Sequence, residues 1–233
     1  MAAISGVALI IALRFILFLE SEDPRRWWGV AVSIEAESPC RDAVNSGSCA
    51  RAIESRQLSK MKGGASRAGR RLTLRLAGGV EKPFEDSAPG AGADDVIAYS
   101  LIDMIPQLDS YLLFVQHWEG GNSLLVRRSD GQTLTLDRAP VLSPTGAHFI
   151  TVCASIAYDP NAVRIYRVTR EKPVLEWAIE PREWGPGVPR WIGPDAVVVP
   201  TDGLVNEIER PANVPTSITI RCVSGKWVLA GSK

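Results

Sequence analysis

From residue 72 onward, apolar and polar positions alternate along the chain. In RLTLRLAGG, Leu72, Leu74 and Leu76 fall on one side and Thr73 and Arg75 on the other. This is the period of two that a half-buried strand requires. A Gly-rich turn follows, and a second strand-like run returns. The same strand–turn–strand form occurs at 70–86 (RRLTLRLAGGVEKPFED), 122–138 (NSLLVRRSDGQTLTLDR), 161–179 (NAVRIYRVTREKPVLEWAI) and 216–232 (TSITIRCVSGKWVLAGS). Their turns centre near Gly79, Gly131, Glu171 and Gly225, which are 52, 40 and 54 residues apart. Between them lie further strand-like runs: DVIAYSL (95–101), YLLFVQ (111–116), AHFITVCA (147–154) and DAVVVP (195–200). Each period therefore carries about three or four strands.

A lone hairpin cannot bury its apolar face, which is the physical reason to repeat and stack it. A period of about 40–50 residues with four strands per unit is what a β-propeller blade requires. The expected fold class is all-β, propeller-like or a meander of four-stranded antiparallel units. An open or incomplete ring, a sandwich and an ordinary meander are the alternatives. A short helical segment precedes it: in CARAIESRQL, Ala50, Ile53 and Leu58 share one face with Arg and Glu opposite. MKGGASRAGRR (61–71) then reads as a flexible basic link, and SAPGAGADD (87–95) as a second loose stretch. The expected division is a leader over 1–36, a small helical, disulfide-looped segment with its link over 37–69, and a β-repeat domain over 70–233.

The stretch VLSPTGAHFITVCASIAYDPNAVRIYRVTREKPVLEW, from Val141 on, resembles a repeat of TolB-like and WD40-like β-propellers. In those repeats a Ser-Pro-Asp-Gly turn leads into an apolar strand, a loop, an Ile-Tyr strand and a hairpin. Here the turn is Ser143-Pro144-Thr145-Gly146, and the later strand carries Val163, Ile165 and Tyr166. Pro suits the second turn position through its fixed φ, and Gly146 suits a positive one. PRWIGPDAVVV (189–199) looks like the start of the next unit, turning at Gly193-Pro194-Asp195. Thr145 stands where the family has Asp, and NEIERPANVPTS interrupts the last unit. The resemblance covers about residues 110–232. It implies a propeller-like body and a non-catalytic role in binding or scaffolding.

The apolar run 4–19 (ISGVALIIALRFILFL) opens on Ile4 and closes on Leu19. It is short for a membrane span, which needs about 20 residues, and suits a signal or short anchor. No Lys or Arg precedes it, whereas Arg25 and Arg26 follow, before a second apolar stretch, WWGVAVSIEA. Cys40 and Cys49 enclose eight residues, RDAVNSGS, whose Asn45-Ser46-Gly47-Ser48 is turn-prone. That is the form of a small disulfide loop in an oxidising compartment; two separate thiols, one on a helix, are the alternative. Cys153 and Cys222 each fall in a strand-like run, where buried thiols are the commoner outcome and a pair across the core the rarer. The expected location is periplasmic or secreted, with a possible membrane tether at 4–19.

Charge changes the picture locally. Lys+Arg and Asp+Glu are both 26 among 233 residues, so no net field draws the whole molecule to nucleic acid. From 41 to 71, however, eight basic residues face two acids, and from 83 to 126 seven acids occur with no Lys or Arg. These read as two solvated surfaces that attract each other, or as a basic arm for an anionic partner. That arm carries no aromatic residue, so nucleic acid is not the expected partner.

Catalytic and metal signatures are absent: GxSxG, GxxxxGK[ST], GxGxxG, HExxH and a calcium loop do not occur, and there is no CxxC. The expectation is no cofactor and no metal. His117 and His148 are the only histidines. His148 is five residues from Cys153, which on a strand puts them on opposite faces; the reading is a surface His and a core Cys. His117 and Trp118 sit in a turn after YLLFVQ and form one candidate ligand loop. Trp184 and Trp191, with Arg182 and Arg190 and the neighbouring Trp177, form another, suited to peptide or glycan contacts; core packing is the favoured reading of those tryptophans. Asp94, Asp95, Asp103 and Asp109 are the scattered carboxylates that a hydrolase would have to gather, with His117, on one face. Arg127, Arg128 and Asp130 read as the solvated edge of a hairpin. The leading reading is a binding or scaffolding protein whose partner is another envelope protein or a peptide. A hydrolase and a structural envelope protein are the rivals.

Overall fold

The computed structural model describes residues 40, 43–118, 120–154, 160–201 and 213–230. The apolar run 4–19, the rest of residues 1–36, and residues 206–212 of the Pro-containing insertion lie outside these. Among the described residues no helix is long and apolar enough to cross a membrane.

The protein is mostly β. Among the described residues one α-helix, α1 (Ser46–Lys60), precedes fifteen strands. The first sheet holds β1 (Ala65–Ala68), β2 (Arg71–Arg75) and β3 (Glu81–Glu85). The second holds β4 (Ile97–Ile105), β5 (Ser110–His117), β6 (Gly120–Arg127) and β7 (Thr133–Leu136). The third holds β8 (Val141–Leu142), β9 (His148–Cys153), β10 (Ala162–Arg167) and β11 (Val174–Ile179). The fourth holds β12 (Arg190–Gly193), β13 (Ala196–Pro200), β14 (Ser217–Val223) and β15 (Lys226–Leu229). Within each sheet every strand pairs antiparallel with the next in sequence, so each sheet is a simple meander. The repeated strand–turn–strand segments are in each case the last hairpin of a sheet.

Three apolar layers join the sheets in chain order. Leu72 and Leu74 of the first sheet meet Tyr111, Leu113 and Val126 of the second. Leu112, Phe114 and Leu125 point the other way, to Phe149 of the third sheet and to Cys49, Ala50 and Ile53 of α1. Ile150, Val163 and Ile165 then meet Val197, Ile220 and Trp227 of the fourth sheet. Strand β5 is buried on both faces, which is why it reads as a continuous apolar run rather than an alternation. In β4 a bulge between Leu101 and Asp103 resets the alternation. Ile102 and Ile105 consequently share one core layer although they are three residues apart, while Leu101 and Met104 face the other.

Two turns need their glycine. Gly131 has φ +75°, and a Cβ there would come within 2.9 Å of Leu76 Cδ1. Gly146 has φ +70°, as the Ser-Pro-Thr-Gly turn requires, and its N–H donates to the Ser143 carbonyl at 2.9 Å.

Helix α1 begins at Asn45, whose side chain accepts from Ser48 N–H at 2.8 Å, while Ser48 Oγ accepts from Asn45 N–H at 3.1 Å. Cys49, in its first turn, is bonded to Cys40, with the Cα atoms 4.6 Å apart. Closing so short a loop is expected to stabilise the fold by about 3 kcal/mol. Alkylation followed by mass spectrometry checks it: neither Cys40 nor Cys49 is labelled without reductant, and both are labelled with it. Cys153 is buried and Cys222 half-buried, and both are thiols.

The segment 61–71 departs from its reading as a flexible link. Residues 65–68 form β1, paired with β2 from Ala65 opposite Leu74 to Ala68 opposite Arg71. ASRA has no intrinsic strand pattern. It is recruited by the edge of β2 and turned by Gly69, at φ +56°. The domain boundary placed at 69/70 therefore cuts through the first sheet. Arg67 and Arg51 also leave solvent: both bond to Glu54 and Asp86. The basic and acidic stretches do attract each other, but at a partly buried junction between α1 and the first two sheets.

Candidate functional site

Two turns at the same end of neighbouring sheets enclose a groove of about 670 Å3. One is the β6–β7 turn, centred on Asp130-Gly131. The other is the β10–β11 turn, residues 168–173. Equivalent turns of successive meanders fall on the same side of a stack, so the chain's repeat brings them together. The floor is apolar, made by Leu108, Leu125, Leu134 and Val168, and continues into the layer between the second and third sheets. Ser129, Gln132, Thr133 and Thr169 supply uncharged hydrogen-bonding groups on the walls. The rim is charged, with Arg127, Arg167, Arg170 and Lys172 against Asp109 and Glu171.

Local bonds set these side chains. Arg127 Nε donates to Asp130 Oδ1 at 2.8 Å and its Nη2 donates to Oδ2. The Arg127 guanidinium, helped by the Gln132 N–H, lowers the Asp130 carboxyl to about 2. Arg127 Nη1 also reaches the Arg170 carbonyl, at 3.5 Å, and so ties one turn to the other. The Arg170 turn is held by Thr169, whose hydroxyl donates to the Lys172 carbonyl at 2.6 Å and accepts from its N–H at 3.2 Å. Arg128 bonds Asp109 at 3.3 Å. Arg127 is thus no solvated edge: its side chain is 17% exposed and forms part of a wall. The Gly131 carbonyl accepts from Lys82 Nζ at 2.7 Å, which fixes the turn to the first sheet.

Arg167 links this groove to the interface of the third and fourth sheets. Its Nε donates to Glu176 Oε1 at 2.6 Å, and Trp227 Nε1 donates to Glu176 Oε2 at 3.1 Å. His148 Nε2 lies 3.3 Å from the same oxygen, and the His148 ring meets Trp227 edge-on at 5.2 Å. His148 is therefore packed between sheets rather than on the surface, because β9 turns that face toward Trp227. Burial pushes the Glu176 carboxyl up, but the hydrogen bonds from Arg167 and Trp227 and the neighbouring His148 outweigh it, and the carboxyl lies below its ordinary 4.5. A folded value below the unfolded one gives stability that is complete above about pH 4.5 and is lost as pH falls through the lower folded value. Urea midpoints followed down through that range should fall more steeply for the native chain than for Glu176→Gln.

The residues singled out from sequence do not converge. His117 and Trp118 close the β5–β6 hairpin, at the opposite end of β6 from the groove. Trp118 is 67% exposed, and Asn122 Nδ2 lies 3.3 Å from His117 Nε2. Trp177, Trp184 and Trp191 pack, half-buried, against the layer between the third and fourth sheets. Trp191 Nε1 donates to the Val141 carbonyl at 2.9 Å, and the Trp184 carbonyl accepts from Asn161. Arg182 and Arg190 are exposed beside them. Asp94, Asp95, Asp103 and Asp109 are all exposed. Among the described residues no group of three His, Cys, Asp or Glu side chains is placed to hold a metal ion.

Arg167, Arg170, Lys172, Gln132 and Thr133 match no catalytic template in the sequence. One signal for them existed: RRSDGQ and TREKP are both basic turns and occupy equivalent places in consecutive units. No family model, no curated protein and no solved structure matches the chain.

Proposed function

We propose that the protein is an exported binding module whose sheets are successive blades of a propeller-like body, and that its ligand occupies the groove between the second and third of them. The observation that carries this is the groove itself. It is within the 300–1,000 Å3 range of ordinary ligand sites, has an apolar floor and polar walls, and is made by two turns that are bonded to each other. Stacking of three- and four-stranded meanders in chain order supports the blade reading, together with the resemblance to TolB-like and WD40-like repeats. The Cys40–Cys49 bond supports work in an oxidising compartment, periplasmic or secreted. The partner is then a peptide or another envelope protein, with 4–19 as the tether.

The test is to fill the groove from a position outside the core. Thr133 is exposed on β7 and lines the groove. Peptides selected on the native protein from a displayed library should bind Thr133→Trp at least about tenfold more weakly, a loss of about 1.4 kcal/mol. Equal binding to both proteins would place the ligand elsewhere.

A further inference from the structure

The groove's rim and floor together define the class of ligand, an inference that rests on the groove being the binding site. Of its cations, Arg127 is bonded to Asp130 and Arg167 to Glu176. Arg170 and Lys172 are exposed and have no acidic partner among the described residues. They are nonetheless held in place, because Thr169 bonds both the N–H and the carbonyl of Lys172 and Arg127 bonds the carbonyl of Arg170. Glu171, between them, is the one rim acid without a cation bonded to it. Fixing the backbone beforehand reduces the ordering cost when a ligand arrives. A cation with no partner, at the mouth of a partly enclosed groove, attracts an anionic group and leaves no buried acid unpaired when that group departs.

Positive charge alone would equally suit a free inorganic anion. The floor argues for more. Leu108, Leu134 and Val168 are half-buried apolar side chains that a small anion would leave wet, while an aliphatic side chain would cover them. Serine, threonine and glutamine groups between floor and rim match the alternating N–H and C=O groups of a peptide backbone. We infer that the groove takes an acidic peptide segment, with carboxylates at Arg170 and Lys172 and an aliphatic side chain on the floor.

The test uses fluorescence anisotropy with three labelled peptides of equal length: Glu/Asp alternating with Leu/Val, Lys alternating with Leu/Val, and Glu/Asp alternating with Gly/Ser. The proteins are the native chain, Arg170→Glu/Lys172→Glu and Thr133→Trp, each checked by circular dichroism. All three altered side chains are exposed, so the fold is expected to be retained. The first peptide should bind most tightly, weaken about tenfold or more on the charge-reversed protein, and weaken as salt rises from about 0.05 to 0.5 M. Thr133→Trp should remove it. Preference for the Lys peptide, or no effect of charge reversal, overturns the acidic assignment, while sensitivity to Thr133→Trp would keep the groove. Equal binding of the third peptide, or its displacement by equimolar inorganic phosphate, reduces the site to a simple anion site and overturns the inference. Binding of every peptide regardless of Thr133→Trp overturns the groove itself.

Discussion

Glu54→Ala should destabilise the protein by about 3–5 kcal/mol, read as a lowered urea midpoint at unchanged slope. Glu54 is 2% exposed on α1. Its carboxylate accepts from Arg67 Nε at 2.5 Å and from Arg67 Nη2 at 3.0 Å, and it also accepts the Leu101 N–H at 2.9 Å. Asp86 accepts the Tyr99 N–H at 2.8 Å, and the Tyr99 carbonyl takes donors from Arg51 at 2.8 Å and Arg67 at 2.5 Å. These backbone groups form the open edge of β4, the first strand of the second sheet. An unpaired edge is a hazard that proteins cover or blunt, and here four charged side chains cover it. Removing Glu54 leaves Arg67 with only Asp86 as its anion and Leu101 N–H without an acceptor. Buried ion pairs can often be exchanged for apolar residues at little cost. That exchange should fail here, because leucines at 54, 67 and 86 would leave Tyr99 and Leu101 unsatisfied as well.

Phe149→Ala should cost about 3–5 kcal/mol by a different route. Phe149 is fully buried on β9, in the layer where the third sheet meets the second sheet and α1. Its ring stacks on Tyr166 at 4.8 Å, with the planes 15° apart. Truncation removes the apolar contact of three elements at once and leaves a cavity lined by strands that cannot collapse without breaking their ladders. Phe149→Leu, which keeps most of the volume, should lose clearly less. The Glu54 and Phe149 changes act through unlike mechanisms, and a double variant measures whether α1 couples them.

The four terminal hairpins were legible because period-two alternation is a local signal, reinforced by glycine in three of the four turns. β1 was not, since ASRA has no apolar period and becomes a strand only by pairing with β2. The β4 bulge was likewise hidden: in SLIDMI a shift by one residue decides which core layer receives Ile102 and Ile105. Trp184 and Trp191 lie half-buried against the layer between the third and fourth sheets. The charged cluster at Glu54 was masked because a Glu on an amphipathic helix normally faces water, and only the free edge of β4 gives it a reason to be buried. The groove depends on two turns 40 residues apart being side by side, which follows from stacking rather than from either turn's sequence.

The central claim is that ligand is held between the second and third sheets and not at the tryptophan-rich segment or the His117 loop. Site-specific photo-crosslinking in the producing cell tests it directly, with a photoreactive residue placed in turn at Ser129, Arg182 and Trp118, all exposed. The account predicts a discrete crosslinked species from Ser129 that disappears when Arg170→Glu/Lys172→Glu is added, and none that depends on those changes from Arg182 or Trp118. A species from Arg182 or Trp118 with none from Ser129 would contradict it.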